Sequence, residues 1–553
     1  MRIAQRIRDW IREEPVLLAL LALAFFLRVF GVGYGLPLTV VNDEYPFTFA
    51  ALQMLDTKTL IPALNPEAFA NILPYPPYLS YVLLLPFAVI IGVKMLLWNG
   101  AADLFTPYLV SNLSAFFITA RLVHVLLGTV SVYLVYRVGE ALFRSKIAAA
   151  AAGFLLATSV LHQALSMVGR NWLPISFLFL LVLFILTRPI TKERRYLYAF
   201  VVVGLGMGVS SISALALPLI GLYYLCFDAR NSGQILRDAP RMSMNILVFV
   251  VLALIPALLW QGGNAFLGAT TLYAGKSFVG LLSSPLQALS LTIFSEPIFT
   301  ALSLWGVALF FVRERTVFFF VLGFFLVYVA TFYVLFRLDA RFLLPLVPLY
   351  ALSGGYVLSR LWNRRTALLI CIVLLIPLAA SARIAYLAFQ SDTREHAREW
   401  VLEQLGSSDH ILVYSSALHI PTQAAAVSEL RSIDPSALRK VDEADERLQR
   451  QDVPYALNNL TSLIETPFMQ NLPAYAREKG YTYAIVEPRS LKGSPETAEV
   501  FATLTHDATV VAHFSGFGTA TSIWESAFLE PLPAIFADKR LGPDIVIYRL
   551  AID

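Results

Sequence analysis

Apolar runs of roughly 20 residues, parted by short charged loops, repeat from position 16 to position 387, and that length suits helices that cross a bilayer. The expected spans are 16–33, 119–137, 147–166, 172–188, 197–210, 212–227, 243–262, 297–312, 316–336, 342–360 and 366–387, eleven in all. One further run, 78–98, is long enough to cross. If it did, the basic segment RVGEALFRSK (137–146) would fall on the opposite side from the other basic loops. It is therefore expected to lie embedded or on the surface and return to the same side. The 197–210 run is short, and Gly204, Gly206, Gly208 and Ser210-Ser211 within and after it predict a pair of broken half-helices lining a cavity.

The polar positions then orient the chain. Arg137/Arg144/Lys146, Arg188/Lys192/Arg194/Arg195, Arg230/Arg237/Arg241, Arg313/Arg315 and Arg360/Arg364/Arg365 fall in alternate loops, each net positive, which places them inside. The amino terminus is then inside and the carboxy terminus outside. Within 1–15, Ile3, Ile7, Trp10 and Ile11 share one helical face beside several arginines, the pattern of a cytoplasmic interfacial helix. The expected division is 1–15, a membrane module 16–387 with an outer loop 37–118, and an extracytoplasmic α/β domain 388–553. Within that last domain 392–405 reads as an amphipathic helix, and 410–414, 483–486 and 544–548 read as buried strands.

Composition supports this class. The chain is 58% hydrophobic, 14% charged and formally +4, with a mean hydropathy of +0.67, against about 25% charged residues in soluble domains. Nothing in it suggests nucleic acid, a nucleotide-sugar site or a redox cofactor. Cys226 and Cys371 both fall in apolar runs and read as buried small hydrophobes rather than a disulfide.

Against this background the stretch GLPLTVVNDEYPF (35–47) stands out, with Asp43 and Glu44 adjacent just where the chain leaves the first span. Under the expected topology Arg28, Asp43, Glu44, Tyr75, Arg121, His124, Arg170, Asn171, Ser211, Arg337, Asp339 and Arg341 all lie toward the outer face. Carboxylates beside several arginines suit transfer from a lipid-linked phosphate. The leaving oxyanion needs cationic stabilisation, and the acceptor hydroxyl needs a base within hydrogen-bond reach. Arginine suits the phosphate because its planar fork of donors keeps its charge. Arginines near a membrane surface also serve as contacts to lipid headgroups.

The Asp-Glu-x-x-Phe pattern of Asp43, Glu44 and Phe47, followed by the corner Tyr75-Pro76-Pro77, resembles the start of the C-type (GT-C) membrane glycosyltransferases. These are the relatives of protein O-mannosyltransferases and aminoarabinose transferases. RLVHVLLGTVSVYLVYRVGEALF (121–143) and RLDARFLLPLVPLYALSGG (337–355) resemble later segments of that family, and 392–549 resembles the tail of its bacterial members. The resemblance implies a polytopic α-helical GT-C fold in the cytoplasmic membrane. It implies transfer of a sugar from a polyprenyl-phosphate donor to a hydroxyl of a lipid, glycan or protein at the outer face. Asp43 would be the general base and Glu44 would position the acceptor. Arg28, Arg121, Arg170 and Arg341 would hold the donor phosphate, with Tyr75, Asn171, Ser211 and Arg337 contacting substrate. No cofactor is assigned; a divalent cation, if one is used, would fall to Asp43 and Glu44. Asn171 replaces an acid usual in related enzymes, and no lysine stands near Ser210-Ser211. The alternatives are a transporter or flippase of lipid-linked saccharides, or a catalytically silent relative.

Overall fold

The computed structural model describes residues 13–41, 44–69, 76–229, 231–260, 277–335, 338–415, 417–464, 466–492, 494–516, 532–537 and 539–551. The expected interfacial helix in 1–15 lies outside the described residues but for its last three positions. Among the described residues seven helices are long and apolar enough to cross a membrane. They are eight when Lys146–Ala157 and Val160–Ser166, bent by 59°, count as one. Four further apolar helices, Pro15–Val29, Trp172–Leu186, Phe278–Ile293 and Pro297–Arg313, are shorter. At 1.5 Å per residue, 15 residues reach about 22 Å, short of a hydrocarbon core of about 30 Å. Three of these short helices coincide with expected spans, and Lys192–Gly206, over the expected 197–210, is also only 15 residues long; Tyr78–Leu96, in turn, is one of the seven without being one of the eleven. Phe278–Ile293 had no counterpart in the sequence reading, because Pro285 and the serines around it interrupt the apolar pattern.

Small residues let the central helices approach closely, as they do where no hydrophobic drive separates helix from lipid. A Cβ on Gly355 would meet the Ala148 carbonyl and the Ala152 amide at 2.7 Å, so the helices Val347–Leu361 and Lys146–Ala157 touch backbone to backbone. Cys371, expected to be buried, is exposed on Ala367–Phe389, and Cys226 is half-buried. Periodicity identifies an apolar helix but not which of its faces meets lipid. The break expected near 210 is present: the helix Lys192–Gly206 ends, and a 3-10 turn, Ser211–Leu215, leads into Ala216–Tyr223. The outer loop supplies the helices Tyr45–Thr57, Tyr78–Leu96 and Phe105–Ser111. Tyr78–Leu96 turns Leu85, Val89, Val93 and Leu96 outward as an exposed apolar face.

Beyond Phe389 the helix Thr393–Gln404 is capped by Asp392, whose carboxylate accepts from the Arg394 amide. A five-stranded sheet follows, built from β1 His410–Tyr414, β2 Tyr455–Leu457, β3 Tyr483–Val486, β4 Thr509–Phe514 and β5 Ile545–Arg549. Its order is β2-β1-β3-β5-β4, with β1 parallel to β2 and β3, and β5 antiparallel to β3 and β4. The strands read at 410–414, 483–486 and 544–548 are β1, β3 and, displaced by one residue, β5. β2 is only three residues long, and β4 is mostly exposed, so neither shows a buried-strand pattern.

The helix Lys440–Leu448 packs against the outer-loop helix Phe105–Ser111. Its first turn is fixed by Asp442, which accepts from the Arg439 amide at 2.9 Å and from Arg439 Nε at 3.0 Å, and faces His419 at 3.3 Å. Burial alone would raise the Asp442 pKa; the contacts with His419 and Arg439 outweigh it and hold the carboxyl well below its ordinary value. A carboxyl depressed on folding contributes stability above its unfolded pKa of about 4 and loses it as pH falls toward the folded value. Asp442→Asn is therefore expected to cost about 1–3 kcal/mol at pH 7. In thermal unfolding scans the gap to wild type should close below about pH 4; a gap constant with pH would contradict this account.

Candidate active site at the outer loop

The outer loop is tied down by a buried ion pair. Glu44, fully buried at the start of Tyr45–Thr57, accepts from Arg121 Nε at 2.9 Å and from Arg121 Nη2 at 2.7 Å, and also from the Gly169 amide. Arg121, equally buried on Ser114–Phe143, spends its remaining nitrogen on the carbonyls of Val32 at 2.8 Å and Tyr34 at 2.7 Å. Such a two-pronged guanidinium–carboxylate pair fixes geometry as well as charge. One helix turn from Arg121, His124 reaches the Ala120 carbonyl and the Arg170 carbonyl, each at 2.8 Å. A neutral imidazole can donate to one of these, an imidazolium to both. Glu44, Arg121, His124, Gly169 and Arg170 thus form one cluster from three separate stretches of chain, with the Arg170 side chain buried.

The same loop is strapped to the sheet-bearing segment. Tyr34 donates its hydroxyl to Asp392 at 2.8 Å, and Asp392 in turn accepts from Arg394 Nε at 2.8 Å. Burial, followed by the neighbouring Asp392 carboxylate, pushes the Tyr34 hydroxyl pKa well up, so it remains a donor. Tyr34→Phe removes a hydrogen bond to a charged group and is expected to cost about 1.5–3 kcal/mol. Limited proteolysis between 389 and 393 should then accelerate; an unchanged cleavage rate would mean the strap carries no load.

Arg28 occupies a different place from the donor-phosphate role the resemblance implied. It is fully buried, and its donors go to the carbonyls of Ala24 (2.9 Å), Ala157 (3.0 Å) and Leu156 (3.2 Å), to His162 Nδ1 (2.9 Å) and to Ser166 Oγ (3.3 Å). Leu156 and Ala157 end the first limb of the bent pair, where carbonyls lack helical partners. Arg28 is a cationic cap on that limb. The opposite limb, Val160–Ser166, begins at Ser159, and there Glu296 accepts from Ser159 Oγ at 2.9 Å and from the Leu161 amide at 2.8 Å. Cation at one helix end and anion at the other follow the helix dipole. Gln163 donates to the carbonyls of Leu27 at 2.7 Å and Ser381 at 3.0 Å, tying the short limb to two neighbours. This break carries the chain directly into Gly169 and Arg170.

Arg341 sits on the 3-10 segment Ala340–Leu346, 3.4 Å from Asp339, its guanidinium over the Phe342 ring. Phe342 packs on Trp172 with ring centres 4.6 Å apart, which brings the Arg341 segment beside Asn171, the residue heading Trp172–Leu186. Ser211 opens the turn after the 207–210 break, and the Tyr78 amide donates to the Gly208 carbonyl there at 2.9 Å. Asp43, Tyr75 and Arg337 lie outside the described residues. The sequence reading passed over Tyr34, Gly169, Glu296, Gln163 and Asp392. Of these Glu296 carried a usable signal, an acid at the threshold of an apolar helix.

A divalent cation does not fit the described part of this cluster. Both Glu44 oxygens are taken by N–H donors, and a cation there would meet the Arg121 guanidinium. Among the described residues no group of three His, Cys, Asp or Glu side chains could hold a metal ion.

Three solved structures align along most of this chain. ArnT from Cupriavidus metallidurans bound to undecaprenyl phosphate is 12% identical over 97% of this chain and 98% of its own, with a TM-score of 0.44. AglB, the archaeal oligosaccharyltransferase from Archaeoglobus fulgidus in complex with an inhibitory peptide and a dolichol-phosphate, is 11% identical over 98% and 89%, with a TM-score of 0.45. The arabinofuranosyltransferase AftD from Mycobacteria is 17% identical over 97% and 41%, with a TM-score of 0.39. No curated protein matches the sequence. The family model described as dolichyl-phosphate-mannose-protein mannosyltransferase matches residues 109–260. The stretch that supplies Arg121, His124, Gly169, Arg170, Asn171 and Ser211 therefore matches that mannosyltransferase family, and the resemblance first carried by the Asp-Glu loop is to the same group of membrane glycosyltransferases.

Proposed function

We propose that this chain is an integral-membrane glycosyltransferase that moves a sugar from a polyprenyl-phosphate donor to an acceptor hydroxyl at the outer face. Asp43 takes the hydroxyl proton as the acceptor oxygen bonds to the anomeric carbon. The bond from that carbon to the phosphate oxygen breaks, and its electron pair leaves on the polyprenyl phosphate. Arg170 and Arg341, on adjoining segments, stabilise that oxyanion. Arg121 is spent on Glu44 and two carbonyls, so in this reading it holds the loop rather than the donor. Glu44 likewise anchors Asp43 instead of touching substrate, and Arg28 keeps the helix break that leads to Arg170. Eleven crossings, with the amino terminus inside, the sheet-bearing segment outside and the protein in the cytoplasmic membrane, complete the reading.

The observation that carries it is the clamp of Arg121 and the Gly169 amide on Glu44. A fully buried, bidentate pair at the outer loop that carries Asp43 and Glu44 is what a positioned base next door requires. The test is transfer of radiolabelled sugar from polyprenyl-phosphate donors in membranes, comparing wild type with Asp43→Asn at matched expression. Loss of a general base is expected to lower transfer about 10²-fold or more. Equal transfer in both would remove Asp43 from the mechanism, and no transfer by wild type from any donor would favour a transporter or a silent relative.

A further inference from the structure

A cavity of about 760 Å³ opens between the outer-loop helices and Lys440–Leu448, a volume in the range of small-molecule sites. Its two walls differ in chemistry. Phe49, Ile91, Leu109 and Phe116 line the apolar side. That side includes Tyr78–Leu96, a helix long and apolar enough to cross a membrane, whose remaining surface is exposed Leu85, Val89 and Val93. The apolar wall therefore runs on from a surface suited to lipid. The other wall is polar: Lys440, Glu443 and Arg447 occupy one face of their helix at i, i+3 and i+7, and Asp56, near the end of the helix that carries Phe49, adds a carboxylate to the lining. Lys440 also lies 5.8 Å from the centre of the Phe49 ring.

Two of the helices that line the cavity, Tyr45–Thr57 and Ser114–Phe143, also carry or adjoin members of the Glu44 cluster. Phe49 is five residues past Glu44 and Phe116 five residues before Arg121, about 7.5 Å along each axis at 1.5 Å per residue. Tyr45, the residue after Glu44, stacks on Phe49 with ring centres 3.6 Å apart.

We propose that this cavity seats a membrane amphiphile. Its chain lies along Phe49, Ile91, Leu109 and Phe116, and its phosphate- and hydroxyl-bearing head lies under Lys440 and Arg447. Two cations meet the phosphate, and the carboxylates of Asp56 and Glu443 accept from head hydroxyls. This deepens the transferase reading, on which it rests for calling the ligand an acceptor: the acceptor hydroxyl is carried by a lipid rather than by a protein.

The test uses the full chain in phosphatidylcholine nanodiscs containing phosphatidylglycerol with a diazirine at one acyl end, and no sugar donor. Irradiation and mass mapping should place the label in 88–92 and 105–113. A Cβ on Gly92 meets nothing within 4 Å, so Gly92→Trp fills space without pushing backbone, and labelling there should fall about tenfold. The double variant Lys440→Glu with Arg447→Glu changes an exposed helix face. It should lower labelling by phosphatidylglycerol about tenfold while leaving that by an uncharged diacylglycerol probe in place. The proposal is overturned if Gly92→Trp labels like wild type. It is equally overturned if label at the cavity merely equals that on the exposed Leu368, Leu369 and Leu375 of Ala367–Phe389, the level of surrounding lipid. Because no donor is present, a cavity that binds lipid in a chain that transfers no sugar would sink the transferase reading alone. An unlabelled cavity in an active enzyme would sink this inference alone.

Discussion

Arg121→Leu is expected to lose about 3–5 kcal/mol of stability, because it leaves the Glu44 carboxylate buried with its counter-charge gone. The same change strips the Val32 and Tyr34 carbonyls of their shared donor. On the transferase reading, sugar transfer should fall with it, since the chain leading from Glu44 to Asp43 loses its anchor. The pair can be separated from the rest by a cycle of Arg121→Leu, Glu44→Leu and the double variant. Replacing both partners of a buried ion pair with apolar side chains is often close to neutral. The double variant should therefore regain much of the stability lost by Arg121→Leu, short of the cost of the Gly169 amide left without its acceptor. Transfer should not return, because leucines pack but do not fix a loop in one register. If the double variant unfolds as early as Arg121→Leu in detergent-solubilised thermal scans, the two side chains are not coupled. Full activity in it would show that the clamp does not position the base.

Arg28→Leu should be comparably severe for a different reason. Here no carboxylate is deprived of its partner; the Leu156 and Ala157 carbonyls, His162 Nδ1 and Ser166 Oγ are. At about 1–3 kcal/mol for each buried polar group left unsatisfied, the loss should reach at least about 3 kcal/mol. Arg28→Lys separates the two roles that a buried arginine here could have. A lysine keeps the charge but is a point donor on a flexible stem, unable to reproduce a fork that spans three carbonyls, a hydroxyl and an imidazole. If Arg28 caps the helix break, the lysine variant should be less heat-stable, with the KM for the lipid-linked donor close to wild type and kcat reduced through the Arg170 segment. A donor KM raised tenfold with stability intact would return Arg28 to the phosphate-binding role that the family resemblance implies.

The structure also bears on how residue types are weighed within a membrane. Four arginines lie toward the outer face under the expected topology, and the family resemblance implies that they hold the donor phosphate. Two of them, Arg28 and Arg121, are consumed by protein acceptors, and Arg341 pairs with Asp339 and covers Phe342. An arginine buried among apolar helices must satisfy its donors inside the protein whether or not a ligand ever arrives. Position along a span is thus a poor guide to role. Backbone carbonyls at a helix break are an equally good sink, and their presence leaves no mark in side-chain chemistry.

The membrane class, the helices at 78–96 and 393–404, the break near 210 and three of the five strands were all legible along the chain. Each depends on local periodicity, on Gly and Pro, or on a charge set against an apolar background, and such signals survive without tertiary contacts. The partner of Glu44 is 77 residues away and that of Tyr34 is 358 away. The acceptors of Arg28 are mostly main-chain atoms, identical in every residue and so silent in sequence. The cavity under Lys440–Leu448 joins 49, 91, 109, 116 and 440–447, positions with no common period. Where a charge falls along a helix is written in the order of residues; what it pairs with is settled by which helices pack together, since a desolvated donor takes the nearest acceptor that the packing brings within 3 Å or so.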